Sequence, residues 1–157
     1  MIILLLLFVN LSHGYLVQDI IEKETNTLHY YSDLAKISTT PDQKLISKNA
    51  IIDKKNRIKS LMLTINKDMK PKILVNKPDH KFSSTILLCK KLRIMEKKLI
   101  QHYTLLIVQK RLPDQLESLL IDFRNRSQFK LYPKIKKCAR YSRPTRSTIR
   151  TDAAFFR

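Results

Sequence analysis

The residues of this chain best suited to chemistry are its cations. Its 157 residues include 31 Lys and Arg against 13 Asp and Glu, which gives a formal net charge of +18. Clustered Lys and Arg bind polyanions in a salt-dependent way, because they release the counterions of the polymer. The C-terminal candidates for such binding are Lys134, Lys136, Lys137, Arg140, Arg143, Arg146 and Arg150, and the lysine pairs 54–55, 90–91 and 97–98 are further ones. A merely solvated end is the alternative for the C-terminal cluster.

Sequence motifs for catalysis and for cofactor binding are missing. The chain has a single Gly, so it lacks the glycine-framed loops that cradle phosphates, dinucleotides or calcium. It contains no HExxH motif and no glycine-framed Ser, and its carboxylates show no pair spaced for acid–base work. The sequence therefore predicts that the protein is not an enzyme and that it binds no metal and no cofactor.

Two cysteines and one sequon are candidates for covalent modification. Cys89 and Cys138 are the only cysteines, and an even count in an oxidising compartment permits one disulfide. Two unpaired buried thiols are the alternative. Asn125-Arg126-Ser127 is an N-glycosylation sequon, and its position about 200° around the helix from Phe123 predicts that Asn125 faces solvent.

The N-terminus predicts a secreted protein. Residues 2–9 form an apolar run, and Ser12 and Gly14 occupy the positions that a signal peptidase prefers before a cut at Tyr15. An N-terminal buried helix or strand is the alternative. The expected domains are a signal peptide at 1–14, a four-helix bundle at 15–133 and a basic tail at 134–157, and the expected location is extracellular.

Four amphipathic stretches predict the helices that position these residues. The first spans 16–31 or slightly more, with Asp19, Glu22 and Glu24 on its polar face. The second begins with a cap at Thr40, or else near Asn49, and ends at Pro71. The third begins at Ser83-Ser84. The fourth begins at Pro113 and ends at Pro133. The predicted apolar stripes are Val17, Ile20, Ile21, Leu28 and Tyr31; Ile51, Ile58, Met62, Ile65 and Met69; Leu88, Leu92, Met95, Leu99, Tyr103 and Leu106; and Leu116, Leu119, Leu120 and Phe123.

Four such helices must cover one another's apolar stripes, so the expected fold is an all-α four-helix bundle. Residues 105–108 are uniformly apolar and could instead form a short strand. The basic residues after Pro133 lack apolar periodicity, and we expect them to form a mobile tail.

Two segments resemble the interleukin-4/interleukin-13 family of short-chain helical cytokines. Val17-Gln18-Asp19-Ile20-Ile21 is similar to Leu-Gln-Glu-Ile-Ile in the first helix of that family. Leu116-Glu117-Ser118-Leu119-Leu120, followed by Tyr132 and Cys138, is similar to its last helix. The resemblance covers about a third of the chain and implies a cytokine-like bundle with up-up-down-down helix directions. It also implies receptor contacts by the first and last helices, with Asp19, Glu22 and Tyr132 as candidates.

The sequence leaves three functional hypotheses. The first is a secreted cytokine or growth-factor-like ligand of immune regulation that binds cell-surface receptor chains. The second is a basic secreted effector or antimicrobial protein that binds heparan sulfate, other polyanions or anionic membranes. The third is an intracellular nucleic-acid binder whose first residues only mimic a signal peptide.

Overall fold

The computed structural model describes residues 2–64, 84–109 and 112–139, and side chains for 14–64, 84–108 and 112–139. These residues form an all-helical fold with no strand among them. The elements are α1 Ile2–Ile37, α2 Pro41–Thr64, α3 Thr85–Gln109, α4 Asp114–Arg126, a π-helical turn Ser127–Leu131 (the π-turn) and α5 Tyr132–Cys138. Residues 105–108 are part of α3, so the alternative of a strand there is wrong.

Local capping signals set two of the helix starts correctly. Thr40 Oγ1 accepts a hydrogen bond from the backbone N–H of Gln43 at 3.3 Å, and α2 begins at Pro41, so the alternative start near Asn49 is wrong. Ser84 is the residue just before α3, and its Oγ accepts a hydrogen bond from the backbone N–H of Leu87 at 3.3 Å. The predicted end of the second helix at Pro71 lies outside the described residues.

The first helix is longer than its apolar pattern indicated. It runs without a break from the predicted signal segment to Ile37, and the residue that follows, Ser38, donates a hydrogen bond through its side chain to the carbonyl of Leu34. The first buried side chain described in α1 is Val17. Every buried side chain that the structure describes therefore lies after the predicted cleavage site.

Pro133 does not end the last helix. The backbone passes from α4 into the π-turn, in which the N–H of Tyr132 donates to the carbonyl of Ser127, and then into α5. Pro133 lies in the first turn of α5, where its missing N–H is not needed. Ile135 and Cys138 are buried, so residues 134–138 belong to the bundle and the expected boundary at 133 is wrong. The tail from residue 140 lies outside the described residues.

Two apolar clusters show the directions of the helices. One cluster joins Ile20 and Ile21 of α1 to the C-terminal parts of α2 and α3 and to α4. The other joins Tyr31 and Leu34 of α1 to the N-terminal parts of α2 and α3 and to α5. Thus α2 and α3 run antiparallel to α1, and α4–α5 runs parallel to it, an up-down-down-up order. This order differs from the up-up-down-down order that the cytokine resemblance implies.

The antiparallel packing of α3 and α5 brings Cys89 and Cys138 together. Their sulfur atoms lie at disulfide distance, with the Cα atoms 5.9 Å apart, and both residues are buried. A bridge between two residues 49 apart in sequence restricts the unfolded chain far more than the folded one.

We expect replacement of both cysteines by serine to lower the free energy of unfolding by about 2–4 kcal/mol. Urea unfolding followed by circular dichroism measures this change, with the reduced wild-type protein as a second route to the same state. A loss below about 0.5 kcal/mol by both routes would show that the bridge does not form in solution.

Candidate functional site

The middle of the bundle holds a buried charged layer, formed by Glu24, Lys54, Arg57 and Glu96. All four side chains are fully buried. Lys54 Nζ lies 2.8 Å from Glu24 Oε2 and 2.9 Å from Glu96 Oε1, so one ammonium joins α1, α2 and α3. Arg57 Nη1 lies 3.2 Å from Glu24 Oε1. The two carboxylates and the two cations balance one another within the protein interior.

Polar groups around the charged layer form further hydrogen bonds and ion pairs with it. The hydroxyl of Tyr31 donates to Glu96 at 3.0 Å, and that of Tyr103 donates to Glu24. Arg57 donates to Ser127 Oγ at 2.8 Å and forms an ion pair with Asp53 at 2.5 Å. Through Ser127, the layer also contacts the π-turn, so it joins α1, α2 and α3 to the turn between α4 and α5.

The charged layer corrects two predictions about its own residues. Glu24 was expected on the polar face of α1 but is buried. Lys54 was expected among the polyanion-binding lysines but faces the core, whereas its neighbour Lys55 is exposed. The inner face of α2 is formed by Ser47, Ala50, Lys54, Arg57 and Leu61. The predicted stripe of Ile51, Ile58 and Met62 is rotated away from it by about 100°, the angle of one residue.

The charged layer also shifts the pKa values of its members. Burial alone would raise the pKa of Glu24, but the charges of Lys54 and Arg57 outweigh burial and lower it below its ordinary value. Burial, together with Glu96, raises the pKa of the Tyr31 phenol well above its ordinary value of about 10. Burial, together with Glu24, does the same for Tyr103.

We expect the protein to lose stability as the pH rises above about 10. Because the pKa values of Tyr31 and Tyr103 are raised in the folded state, the unfolded chain loses these two protons at a lower pH than the folded protein does. The stabilisation from the two buried phenols is therefore fully present below the pKa of an unfolded tyrosine and is lost as the pH rises from there through the folded pKa. In an absorbance titration of tyrosinate, two of the six tyrosines should ionise only when the helices melt. In the Tyr103→Phe variant, only one tyrosine, Tyr31, should ionise together with the melting of the helices. Ionisation of all six near pH 10 in a still helical protein would contradict the buried arrangement.

A second cluster of charges lies on the surface of α3 and α5 and on the π-turn, and we call it the basic face. Five exposed cations lie on α3 and four on the π-turn and α5: Lys90, Lys91, Arg93, Lys97, Lys98, Lys130, Lys134, Lys136 and Lys137. The only acid in the described parts of these elements is Glu96, which is buried and paired with Lys54. No acid on these elements therefore neutralises the basic face.

An open groove crosses the basic face where α5 begins. It is lined by Arg93, Ile94, Lys97, Lys98, Gln101 and Tyr132. The guanidinium of arginine and the ammonium of lysine bind sulfate, phosphate and carboxylate oxygens, and a phenol can donate a further hydrogen bond. The groove can therefore bind an anion-bearing ligand without any chemical step.

The predicted site residues fall into separate groups. Lys134, Lys136 and Lys137 join Tyr132 at the basic face, together with Arg93, which the sequence analysis did not single out. Arg140, Arg143, Arg146 and Arg150 lie outside the described residues. Asp19 lies away on α1, where Lys23 Nζ and, at 3.1 Å, His102 Nε2 contact its carboxylate. Glu22 is exposed on the same helix.

The glycosylation sequon is less open than expected. Asn125 is half-buried, and its side-chain oxygen accepts a hydrogen bond from Arg124 at 3.4 Å. Ser127, the third residue of the sequon, is buried and bonded to Arg57. The prediction that Asn125 faces solvent is thus only partly right, and Ser127 has a structural role that the sequon pattern does not indicate.

Neither a metal site nor a membrane-spanning helix is found among the residues that the structure describes. No group of three or more His, Cys, Asp or Glu residues in the described part of the chain could hold a metal ion. Among the helices of that same part, none is long and apolar enough to cross a membrane. No protein-family model, no curated protein and no solved structure matches this chain.

Proposed function

We propose that this chain is a secreted, non-catalytic cationic protein that binds anionic ligands through its basic face. The observation that carries the proposal is the set of nine exposed cations on α3, the π-turn and α5 without an exposed acid on the same elements. Such a surface attracts polymers of sulfate or phosphate groups and holds them by many salt-sensitive contacts. For a secreted protein, heparan sulfate is the polyanion most readily met.

The rigid part of this surface does not depend on the C-terminal tail. α5 is anchored by the disulfide and by the buried side chain of Ile135, so Lys134, Lys136 and Lys137 are held next to α3. A preformed array of cations binds a polyanion without first paying the full entropic cost of ordering a flexible chain. The arginines beyond residue 139 would add to the affinity.

Deletion of residues 140–157 tests this division. We expect the shortened protein to bind a heparin oligosaccharide with a clearly retained affinity and a smaller salt dependence, because it loses tail cations and keeps the basic face. Isothermal titration calorimetry of both forms, in the same buffer series, gives the two slopes. If the deletion abolished binding, the tail and not the basic face would be the ligand site.

Secretion has its own direct test. We expect N-terminal sequencing of protein collected from the medium of expressing eukaryotic cells to begin at Tyr15, Leu16 and Val17. An intact Met1 on protein retained in the cell would contradict secretion. It would favour an intracellular nucleic-acid binder, since the same basic face suits phosphate backbones.

The second candidate is a secreted receptor-binding ligand of the cytokine or growth-factor kind. The groove on the basic face supports it, because Arg93 and Tyr132 belong to residue types that are enriched at the centres of protein–protein interfaces. Glu22 and Asp19 of α1 offer a separate acidic contact. The up-down-down-up order of the helices differs from the order that the interleukin-4/interleukin-13 resemblance implies. The groove therefore supports this candidate more strongly than the resemblance does.

Binding to cultured cells before and after enzymatic removal of heparan sulfate separates the two candidates. Loss of all saturable binding after the enzyme treatment supports the polyanion-binding function. Saturable binding that survives the treatment, and that a Tyr132→Ala variant loses, supports the receptor-binding ligand. The side chain of Tyr132 is half-buried at the groove and is not among those that contact the charged layer, so its loss should leave the fold intact.

A further inference from the structure

The outer side of α3 carries an apolar line in the middle of the basic face. Leu87, Ile94 and Leu105 are each about half exposed, and Val108 is 77% exposed. At about 100° per residue, the first three lie within about 20° of one another around the helix axis. The line extends over about 32 Å from Leu87 to Val108, which is nearly the whole helix. The core side of α3, with Leu92, Leu99 and Tyr103, points the opposite way.

Cations flank this apolar line on both sides. Lys91 and Lys98 lie on one side of it, and Lys90, Arg93 and Lys97 lie on the other, at about 20–100° from the line. α3 therefore carries two apolar stripes. One packs into the bundle, and the other faces outward between the flanking cations. Exposed apolar side chains on one side of a helix, rimmed by cations, favour a partner that is both apolar and anionic.

The chemistry of the outer stripe distinguishes among anionic partners. A sulfated polysaccharide would engage the cations but would leave the apolar side chains in water. The surface of an anionic bilayer accepts both, because apolar side chains enter the boundary between head groups and acyl chains while long cationic side chains reach the lipid phosphates. A second copy of the chain fits poorly, since two basic faces would repel each other.

We propose that α3 lies flat on anionic lipid membranes, with Leu87, Ile94, Leu105 and Val108 inserted at the head-group boundary and the flanking cations on lipid phosphates. This inference rests on the proposed function, because the same cations bind the anionic groups. The partner is an anionic membrane, and binding to it requires the apolar line as well as the cations. The protein remains a peripheral one, since the helix stays packed in the bundle on its other side.

Two matched double variants test the role of the apolar line. The first, Leu87→Ser with Leu105→Ser, removes two side chains of the line that lie outside the groove. The control, Leu45→Ser with Ile52→Ser, removes two exposed apolar side chains from α2, where they are 58% and 50% exposed. Each protein is sedimented with vesicles of phosphatidylcholine alone and with vesicles in which phosphatidylglycerol replaces a quarter of that lipid. Heparin binding and circular dichroism are recorded for each.

We expect the wild type and the α2 control to bind only the anionic vesicles, and the α3 variant to bind them roughly tenfold or more weakly. All three should bind heparin alike. Equal vesicle binding by the α3 variant and the wild type would overturn the inference and leave the proposed function standing. So would heparin binding without vesicle binding, which would point to a polysaccharide or a protein partner. Failure of the wild type to bind either ligand would contradict the proposed function itself.

Discussion

Replacing Glu24 with glutamine is expected to lower the free energy of unfolding by about 3–5 kcal/mol. The carboxylate of Glu24 contacts Lys54 and Arg57 and accepts the hydroxyl of Tyr103. Glutamine has nearly the same shape but no charge, so two buried cations would share the single buried carboxylate of Glu96 and the partly exposed one of Asp53. Removal of one member of a buried charge network costs far more than the net contribution of the intact network.

The matched control for this variant is Glu22→Gln, two residues away on the exposed side of α1. The same chemical change there should alter the free energy of unfolding by no more than about 0.5 kcal/mol. Urea unfolding of both variants and the wild type at neutral pH gives the comparison. A loss below about 1 kcal/mol for Glu24→Gln would mean that this carboxylate is hydrated and that the charged layer is not buried as described.

Neutralising three cations of the basic face should weaken heparin binding by roughly 10–100-fold at low salt. The variant is Arg93→Gln, Lys97→Gln and Lys134→Gln, which takes two cations from the groove and one from α5. Each cation that contacts a polyanion contributes about 0.7–0.9 to the slope of log affinity against log salt. Loss of three contacts should therefore reduce that slope by about 2–3.

The control carries the same change of charge on another helix. Lys48, Lys55 and Lys59 are exposed on α2, and their replacement by glutamine lowers the net charge by the same three units. We expect this control to weaken heparin binding by less than about threefold, because only the long-range field of the protein changes. Equal losses for the two variants would show that net charge, and not the basic face, determines binding.

Local patterns predicted the apolar stripe of α3 and the capped helix starts. The apolar stripe of α3 is buried as expected, apart from Met95, which is partly buried. The polar cap at Thr40 forms the hydrogen bond that its position before Pro41 predicts. Such features depend on residues within one or two helical turns of each other, so a local sequence pattern is enough to predict them.

Local patterns could not predict the charged layer, because the residues that form it are distant from one another along the chain. Lys54 and Arg57 face inward only because Glu24 and Glu96 arrive from two other helices. One signal was nevertheless available. Glu24 falls in the middle of the stripe formed by Ile20, Ile21 and Tyr31, and an acid within an apolar stripe indicates a buried partner of opposite charge.

The last helix shows the limit of a strong local rule. Proline usually ends a helix, and Pro133 was expected to do so. The π-turn before it changes the hydrogen-bond pattern and lets the chain continue into α5, which the disulfide and Ile135 fix to α3. Tertiary contacts, which local sequence patterns do not contain, stabilise this continuation and with it the three cations of the basic face that α5 carries.

Anionic ligands are proposed to bind at the rigid basic face of α3 and α5. The most direct test of this site is the dissociation constant of one heparin oligosaccharide for the triple variant of Arg93, Lys97 and Lys134, measured beside the α2 control and the wild type over a salt series. We predict a salt slope lower by about 2–3 for the basic-face variant and a nearly unchanged slope for the control. Identical slopes for all three proteins would contradict the claim.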